Sequence, residues 1–299
     1  MRLIATGKQG QLVRSLAERC AARGVELVVV GRPEMDLTDI ASVWRAIESA
    51  KGDVIINSAA YTAVDKAESE PDVAMAVNRD GARAVSQAAA RVDRPIIQIS
   101  TDYVFSGSLD RPYREDDIVD PLGVYGRTKL AGELAVAETN DRHTIVRTSW
   151  VYSPFGQNFV KTMLRLGETR DRLNVVADQW GAPSSATDLA DALITMSAAM
   201  VREPDRPELF GIFHMTGAGW TNWAEFAQAI FAEAAHCGHR GAEVEPITTA
   251  QYPTPAKRPL NSRLATNKLA RHYALALPGW RGSVAECVRR ILAAQNESI

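Results

Sequence analysis

The chain begins Met1-Arg-Leu-Ile-Ala-Thr-Gly-Lys-Gln-Gly-Gln-Leu-Val-Arg-Ser-Leu-Ala-Glu-Arg-Cys20. The first six residues are typical of a β-strand, Gly7 and Gly10 bracket a turn, and the apolar residues from Leu12 onward have helical spacing. Strand, glycine turn and helix form the context of a dinucleotide-binding loop, because glycine lets the backbone approach a pyrophosphate at a helix N-terminus. The usual third glycine is replaced by Val13, so an ordinary strand-to-helix turn is the alternative.

A second apolar run, 25–30, ends at Gly31-Arg32-Pro33. NAD-selective folds usually carry an acid at this point to bind the ribose 2′-hydroxyl, and none is present. Arg32 can instead bind the 2′-phosphate of NADP, which favours NADPH and leaves NADH as a second donor. A solvated arginine is the alternative. Asp36 and Leu37 follow, and we expect them at the adenine end.

Strand and helix patterns alternate through the first half of the chain. Strand patterns cover 53–58, 95–99 and 143–148, and helical patterns cover 75–91 and 125–139. This order predicts a Rossmann-type, doubly wound parallel sheet with helices on both faces. Ligands of such sheets bind at the carboxyl ends of the strands, where all the motifs named here fall.

Tyr125 and Lys129 carry the predicted chemistry. Four residues apart on a helix, they project from one face. A lysine ammonium beside a phenol favours the phenolate, so we expect a lowered Tyr125 pKa and proton exchange near neutral pH. Thr101 can hydrogen-bond the same oxygen, whereas Ser100 is the weaker candidate because neighbouring strand residues point to opposite sides. A packed tyrosine on an exposed helix turn is the alternative for so short a motif.

Composition agrees with an enzyme of the cytoplasm. The chain has 299 residues and a net charge of −2, which gives no basic surplus for nucleic acid. No apolar run is long enough for a membrane helix, and the early first strand leaves no room for a signal peptide. The three cysteines, Cys20, Cys237 and Cys287, fit reduced thiols better than a disulfide framework.

Longer motifs resemble the extended short-chain dehydrogenases/reductases, and among them the dTDP-4-dehydrorhamnose reductases. The similar segments are 7–11, 57–71, 100–105, 121–133, 147–152, 178–183 and 252–262. The resemblance implies an α/β fold in which a smaller substrate-binding domain interleaves with the Rossmann domain. The expected boundaries are 1–150 plus about 174–215 for the dinucleotide and about 151–173 plus 216–299 for the nucleotide sugar.

The resemblance also implies roles for single residues in the reduction of a sugar 4-keto group by NADPH. Tyr125 donates the proton, Lys129 holds the nicotinamide ribose, and Thr101 hydrogen-bonds the tyrosine or the keto oxygen. Tyr125 and Lys129 also belong to the implied cofactor-binding set. The remaining implied residues bind the cofactor (Gly7, Gly10, Gln11, Leu12, Asp36, Leu37, Ala60, Tyr61, Thr62) or the sugar nucleotide (Val64, Thr101, Asp102, Trp150). Arg258, in a proline-rich basic loop, is a candidate for the substrate pyrophosphate.

Two other functions stay open at this point. One is another nucleotide-sugar ketoreductase, epimerase or dehydratase, although Asp102-Tyr103 lacks the acid pair that a dehydratase usually carries after its Ser/Thr. The other is a non-catalytic regulatory subunit of the methionine adenosyltransferase type. No metal is expected. The resemblance implies pairing with a second copy, and Ser15 stands where some relatives carry the carboxylate for a bridging ion.

Overall fold

The computed structural model describes residues 1–296. Its strands are β1 Arg2–Thr6, β2 Glu26–Val30, β3 Val54–Asn57, β4 Ile96–Thr101, β5 His143–Thr148, β6 Val151–Tyr152, β7 Arg172–Val176, β8 Trp180–Gly181, β9 Ser184–Ser185, β10 Gly211–His214, β11 Thr221–Asn222 and β12 Glu243–Ile247. Its helices are α1 Gln11–Ala22, α2 Ile40–Ala50, α3 Val64–Ala67, α4 Pro71–Met75, α5 Ala82–Arg91, α6 Val124–Thr139, α7 Phe159–Gly167, α8 Ala186–Arg202, α9 Trp223–His236, α10 Asn267–Tyr273 and α11 Trp280–Asn296.

The central sheet confirms the predicted Rossmann-type α/β fold. Its six strands are parallel and lie in the order β2-β1-β3-β4-β5-β10. From β1, the chain adds β2 on one side, and then β3, β4, β5 and β10 on the other side. The crevice at the carboxyl ends of β1 and β3 is therefore the topological switch point where such folds bind ligands.

Helices cover both faces of this sheet because successive strand residues point to opposite sides. Leu3 and Ala5 join a buried cluster that includes residues of α1 and α8. Ile4, between them, joins the cluster that includes residues of α2 and α5. A separate cluster joins α7, α9 and α11, away from the sheet. Within residues 1–296, no helix combines the length and apolar character needed to cross a membrane.

Element boundaries differ from the predicted ones by a few residues. The helix expected from Trp220 begins at Trp223, because the Asn222 side chain accepts a hydrogen bond from the Glu225 amide at 2.9 Å and caps it. The expected 75–91 helix begins earlier, at Pro71, and residues 76–81 within it are π-helical. The last helix begins at Trp280, three residues before its predicted start.

Candidate active site

The glycine loop after β1 has the geometry of a phosphate-binding turn. Gly7 has a φ of +92°, a conformation that favours glycine, and a Cβ there would lie 3.5 Å from the Cβ of Ala59. Helix α1 has no side-chain cap at Gly10 and no acid in its first turn. Its first amides are therefore available to an anion, and the positive end of the helix dipole favours negative charge there. These features fit a dinucleotide pyrophosphate.

Gln11 ties this loop to the second half of the chain. Its side-chain oxygen accepts hydrogen bonds from Ser153 Oγ at 3.0 Å and from Asn158 Nδ2 at 2.9 Å. Because the side chain is used in this way, the backbone amide is the group left to face a phosphate. Leu12 packs against the sheet cluster that contains α1 and α8. Ser15 is buried, so it lies inside the protein rather than on a surface where a partner could share an ion.

The candidates for the adenine end lie beyond β2. Arg32 is exposed there. The carboxylate of Asp36 accepts hydrogen bonds from the amide of Thr38 at 2.9 Å and from its hydroxyl at 2.7 Å, which lowers the Asp36 pKa. The Leu37 side chain lies in the hydrophobic core, so only its backbone is available to a ligand. The side chains of Asp36 and Leu37 are therefore already used by the fold.

The π-helical segment fixes the loop after β3. Asn78 lies in that segment, and its side chain bonds both the amide and the carbonyl of Tyr61, at 2.8 and 3.1 Å. It also donates to Thr128 Oγ1 on α6 at 3.0 Å. The Tyr61 hydroxyl donates to Glu70 at 2.8 Å. These contacts hold the loop residues Ala60, Tyr61 and Thr62 between the dinucleotide crevice and α6. π-helical turns of this kind often occur at functional sites. No motif in the sequence marks Asn78 as a site residue.

Thr101, Tyr125 and Asp102 meet at the carboxyl end of β4. The Thr101 hydroxyl donates to Asp102 Oδ1 at 3.0 Å and is within hydrogen-bond reach of the Tyr125 phenol. The other carboxylate oxygen of Asp102 has no partner in the described residues. Burial raises the Asp102 pKa to about 6, against the lowering effect of hydrogen bonds from Ser262 and Thr101. The unpaired oxygen is buried, so it is an acceptor held inside the protein beneath the Thr101 and Tyr125 hydroxyls.

The expected lowering of the Tyr125 pKa is wrong for this structure. Burial raises that pKa to about 12, opposed only by the hydrogen bond with Thr101. The Lys129 ammonium donates to the Ile99 carbonyl at 2.7 Å. Spacing on a helix places two side chains on one face but does not decide which acceptor the longer one reaches. A phenol with a raised pKa is fully protonated at neutral pH, which is the form that a proton donor needs.

The approach of α6 to this site depends on a glycine. A Cβ at Gly126 would lie 2.2 Å from the Tyr103 carbonyl oxygen, so only glycine lets the helix come this close. The Tyr103 ring packs edge-on against Tyr125, with centroids 5.5 Å apart.

A buried ion pair lies one helical turn beyond Lys129. Glu133 on α6 accepts two hydrogen bonds from Arg147 Nε, at 3.0 and 3.2 Å, and one from Nη2 at 2.7 Å. Both side chains are about 2–3% exposed. The Ser100 hydroxyl donates to the same carboxylate. No motif in the sequence marks this pair. The one signal is the spacing of Tyr125, Lys129 and Glu133, which recur at four-residue intervals along one helical stripe.

Two more candidate substrate residues pair with neighbours. Arg258 Nη2 lies 2.8 Å from Asp65 Oδ2, just after Val64 at the start of α3. The Trp150 indole stacks on Trp223 with ring centroids 3.7 Å apart, and a Cβ at Gly181 would lie 2.5 Å from Trp150 Cε2. The stack with Trp223 covers one face of the Trp150 ring. While Arg258 is bound to Asp65, its guanidinium is paired within the protein.

The chain is similar to known proteins along nearly all its length. Residues 1–293 match the family described as the RmlD substrate binding domain. The dTDP-4-dehydrorhamnose reductase of Sinorhizobium fredii (strain NBRC 101917 / NGR234) is 50% identical over 293 residues, which cover 98% of each chain. A crystal structure of the Clostridium acetobutylicum protein of that name is 38% identical with a TM-score of 0.89, covering 98% of this chain and all of that one. The Bacillus anthracis protein of that name, in complex with NADP, is 35% identical with a TM-score of 0.89, covering 97% of this chain and 99% of that one.

Proposed function

Since this chain belongs to the RmlD substrate binding domain family, together with relatives named dTDP-4-dehydrorhamnose reductase, we propose that it reduces the 4-keto group of dTDP-4-dehydro-6-deoxy-L-mannose to give dTDP-L-rhamnose. It is an oxidoreductase that uses NADPH, with NADH as a minor donor. The observation that carries the proposal is the Tyr125 phenol within hydrogen-bond reach of Thr101 at the end of β4, beside the β1–β3 crevice. Lys129, one turn along α6 from Tyr125, donates to the Ile99 carbonyl of the same strand.

A ketone reduction needs a hydride at the carbon and a proton at the oxygen. NADPH supplies the hydride when it is bound. The Tyr125 phenol supplies the proton to the sugar 4-keto oxygen, and its raised pKa keeps it protonated until the oxygen gains negative charge. Thr101 lies within hydrogen-bond reach of the phenol and orients it, and its own hydroxyl is fixed by Asp102. Lys129 holds the nicotinamide ribose.

The sugar nucleotide lies over the carboxyl end of β4. Asp102 acts on the substrate side through Thr101, from whose hydroxyl it accepts a hydrogen bond, and Val64 and Trp150 flank the sugar ring. Arg258 is half-buried and already oriented by Asp65, so it is ready to bind the substrate pyrophosphate. An arginine held by a carboxylate loses less side-chain entropy on binding, which supports this role.

The cofactor residues follow the crevice. We place the pyrophosphate at the glycine loop, the adenine at the end of β2 and the ribose at the loop after β3. The residues in these three places are Gly7, Gly10, Gln11, Leu12, Arg32, Asp36, Leu37, Ala60, Tyr61 and Thr62. Leu37 acts through its backbone, because its side chain is in the core.

We also propose the two interleaved domains, with the boundaries given above, and a cytoplasmic location. The separate cluster of α7, α9 and α11 supports a second domain. Its bounds differ from the proposed ones at two places: Val175 packs in that cluster, and α10 packs in the sheet cluster through Leu269 and Tyr273. The three cysteines are free thiols, which supports a reducing compartment. Pairing with a second copy stays a prediction, and light scattering of the purified chain measures it.

The test of the function is NADPH oxidation, followed by absorbance, with dTDP-4-dehydro-6-deoxy-L-mannose generated in situ. We expect one NADPH oxidised for each dTDP-L-rhamnose formed. An epimerase would convert the sugar without net consumption of NADPH. NADPH binding without any turnover would instead indicate the regulatory-subunit alternative.

Arg32 gives a prediction about cofactor choice. We expect Arg32→Ala to raise KM for NADPH about 10- to 100-fold, the loss of a charge-assisted contact worth about 1.5–3 kcal/mol, and to leave KM for NADH within about twofold. The matched control is Arg45→Ala, which removes an exposed arginine on the nearby helix α2. It should change neither KM. Equal losses with both cofactors would mean that Arg32 does not bind the 2′-phosphate.

A further inference from the structure

Three polar residues lie side by side on neighbouring strands of the sheet, close to the end of β4. Ser100 on β4 and His214 on β10 are both register partners of Arg147 on β5, so the three form a row across the sheet. Ser100 and Arg147 converge on the carboxylate of Glu133, whose position on α6 is one turn beyond Lys129. The strand register therefore places Ser100 and Arg147 side by side against Glu133.

Lys129 needs an anion in its surroundings. It is 5% exposed, and its ammonium donates to the Ile99 carbonyl, which carries no charge. Burial lowers the Lys129 pKa to about 8, and Glu133 is the charged group that opposes this effect. The ionisable groups on the elements packed around these two residues are Tyr125 on α6, Asp102 after β4, Arg147 on β5, His214 on β10 and Glu115 in the loop that reaches the His214 amide.

These surroundings make Glu133 the main electrostatic support of Lys129. Asp102 lies on the Tyr125 side, where it acts on the phenol. Arg147 is a cation, and burial together with Arg147 lowers the pKa of His214 to about 3, which keeps that imidazole neutral. Without Glu133, Arg147 would lose its ion-pair partner and Lys129 would lose the carboxylate one turn away on α6.

We propose that Glu133, clamped by Ser100 and Arg147, is a positioning residue for the reduction that keeps the Lys129 ammonium charged beneath the cofactor ribose. The proposal rests on the function proposed above for Lys129. It assigns a catalytic consequence to an ion pair that otherwise serves only the fold.

Glu133→Gln tests the proposal because it keeps the side-chain shape and removes the charge. We expect the ¹³Cε resonance of Lys129, assigned through Lys129→Met, to titrate about one pH unit lower than in the unaltered protein. The alkaline limb of kcat should move down by the same amount. A lysine with a lower pKa loses its charge earlier as pH rises. Between about pH 6.5 and 8.5, kcat of the variant should therefore fall about tenfold further than kcat of the unaltered enzyme.

Two further variants separate this effect from a structural one. Ser86→Ala removes a buried hydroxyl that bonds the Val136 carbonyl of α6 and leaves the charges unchanged, so it should lower stability without moving either midpoint. The double variant Glu133→Met/Arg147→Met removes both buried charges, and its Lys129 resonance should still titrate lower. That variant keeps the test available if Glu133→Gln does not fold.

Unchanged Lys129 midpoints in both Glu133 variants would overturn the proposal. The resonance is measured on the cofactor-free protein, so it reports on Glu133 even if the sugar assay fails. Failure of the unaltered chain to oxidise NADPH with the keto-sugar would overturn the proposed function instead, which keeps the two failures distinguishable.

Discussion

Tyr125→Phe should lower kcat for the keto-sugar by about 10²–10⁴-fold, the usual contribution of a positioned acid. The variant keeps the ring that packs against Tyr103 and loses only the hydroxyl within reach of Thr101. The glycine loop and the loops after β2 and β3 are unchanged in this variant, so the Kd for NADPH should stay within about twofold. Steady-state kinetics and a fluorescence titration with NADPH measure the two quantities.

A matched control separates the lost acid from a lost buried hydroxyl. Tyr273→Phe removes another buried phenol, which donates to the Leu209 carbonyl at 2.6 Å, away from the crevice. It should lower the free energy of unfolding by about 1 kcal/mol and leave kcat unchanged. Activity retained by Tyr125→Phe would remove Tyr125 as the proton donor.

The sequence predicted the fold because its signals are local. Residues 1–20 contain a complete strand, turn and helix, and alternating patterns repeat this unit along the first half. The carboxyl-end rule then placed the loops after β1, β2, β3 and β4 at one edge, as the structure has them. Periodicity does not specify helix caps, so α9 began at a capped residue that the apolar pattern did not mark.

The rest of the candidate site depends on contacts between distant residues. Asn78 lies in an alanine-rich helical pattern that gives no sign of a π-helical turn. Arg147 looks like any polar residue in a strand until β4, β5 and β10 are placed in register. The Lys129 ammonium reaches a strand carbonyl that helical spacing does not show. These features follow from tertiary packing, which sequence patterns along a single element do not contain.

The second large effect is expected on stability. Arg147→Met should lower the free energy of unfolding by about 3–5 kcal/mol, because it leaves the Glu133 carboxylate buried without its partner cation. Methionine is long and flexible enough to fill most of the vacated space beside Phe105, so the loss is mainly electrostatic. Urea unfolding followed by circular dichroism measures the difference, with NADPH left out so that binding does not alter the apparent stability.

Two comparisons show whether burial is the cause. Arg83→Met breaks an ion pair between Arg83 on α5 and Glu138, which lies on α6 like Glu133. Those side chains are 39% and 62% exposed, so the free energy of unfolding should fall by about 1 kcal/mol or less. Glu133→Met/Arg147→Met removes both buried charges and should recover more than half of the loss, since an apolar replacement needs no desolvated partner. If the double variant were as unstable as Arg147→Met alone, shape and packing, rather than an unpaired charge, would explain why the arginine is needed.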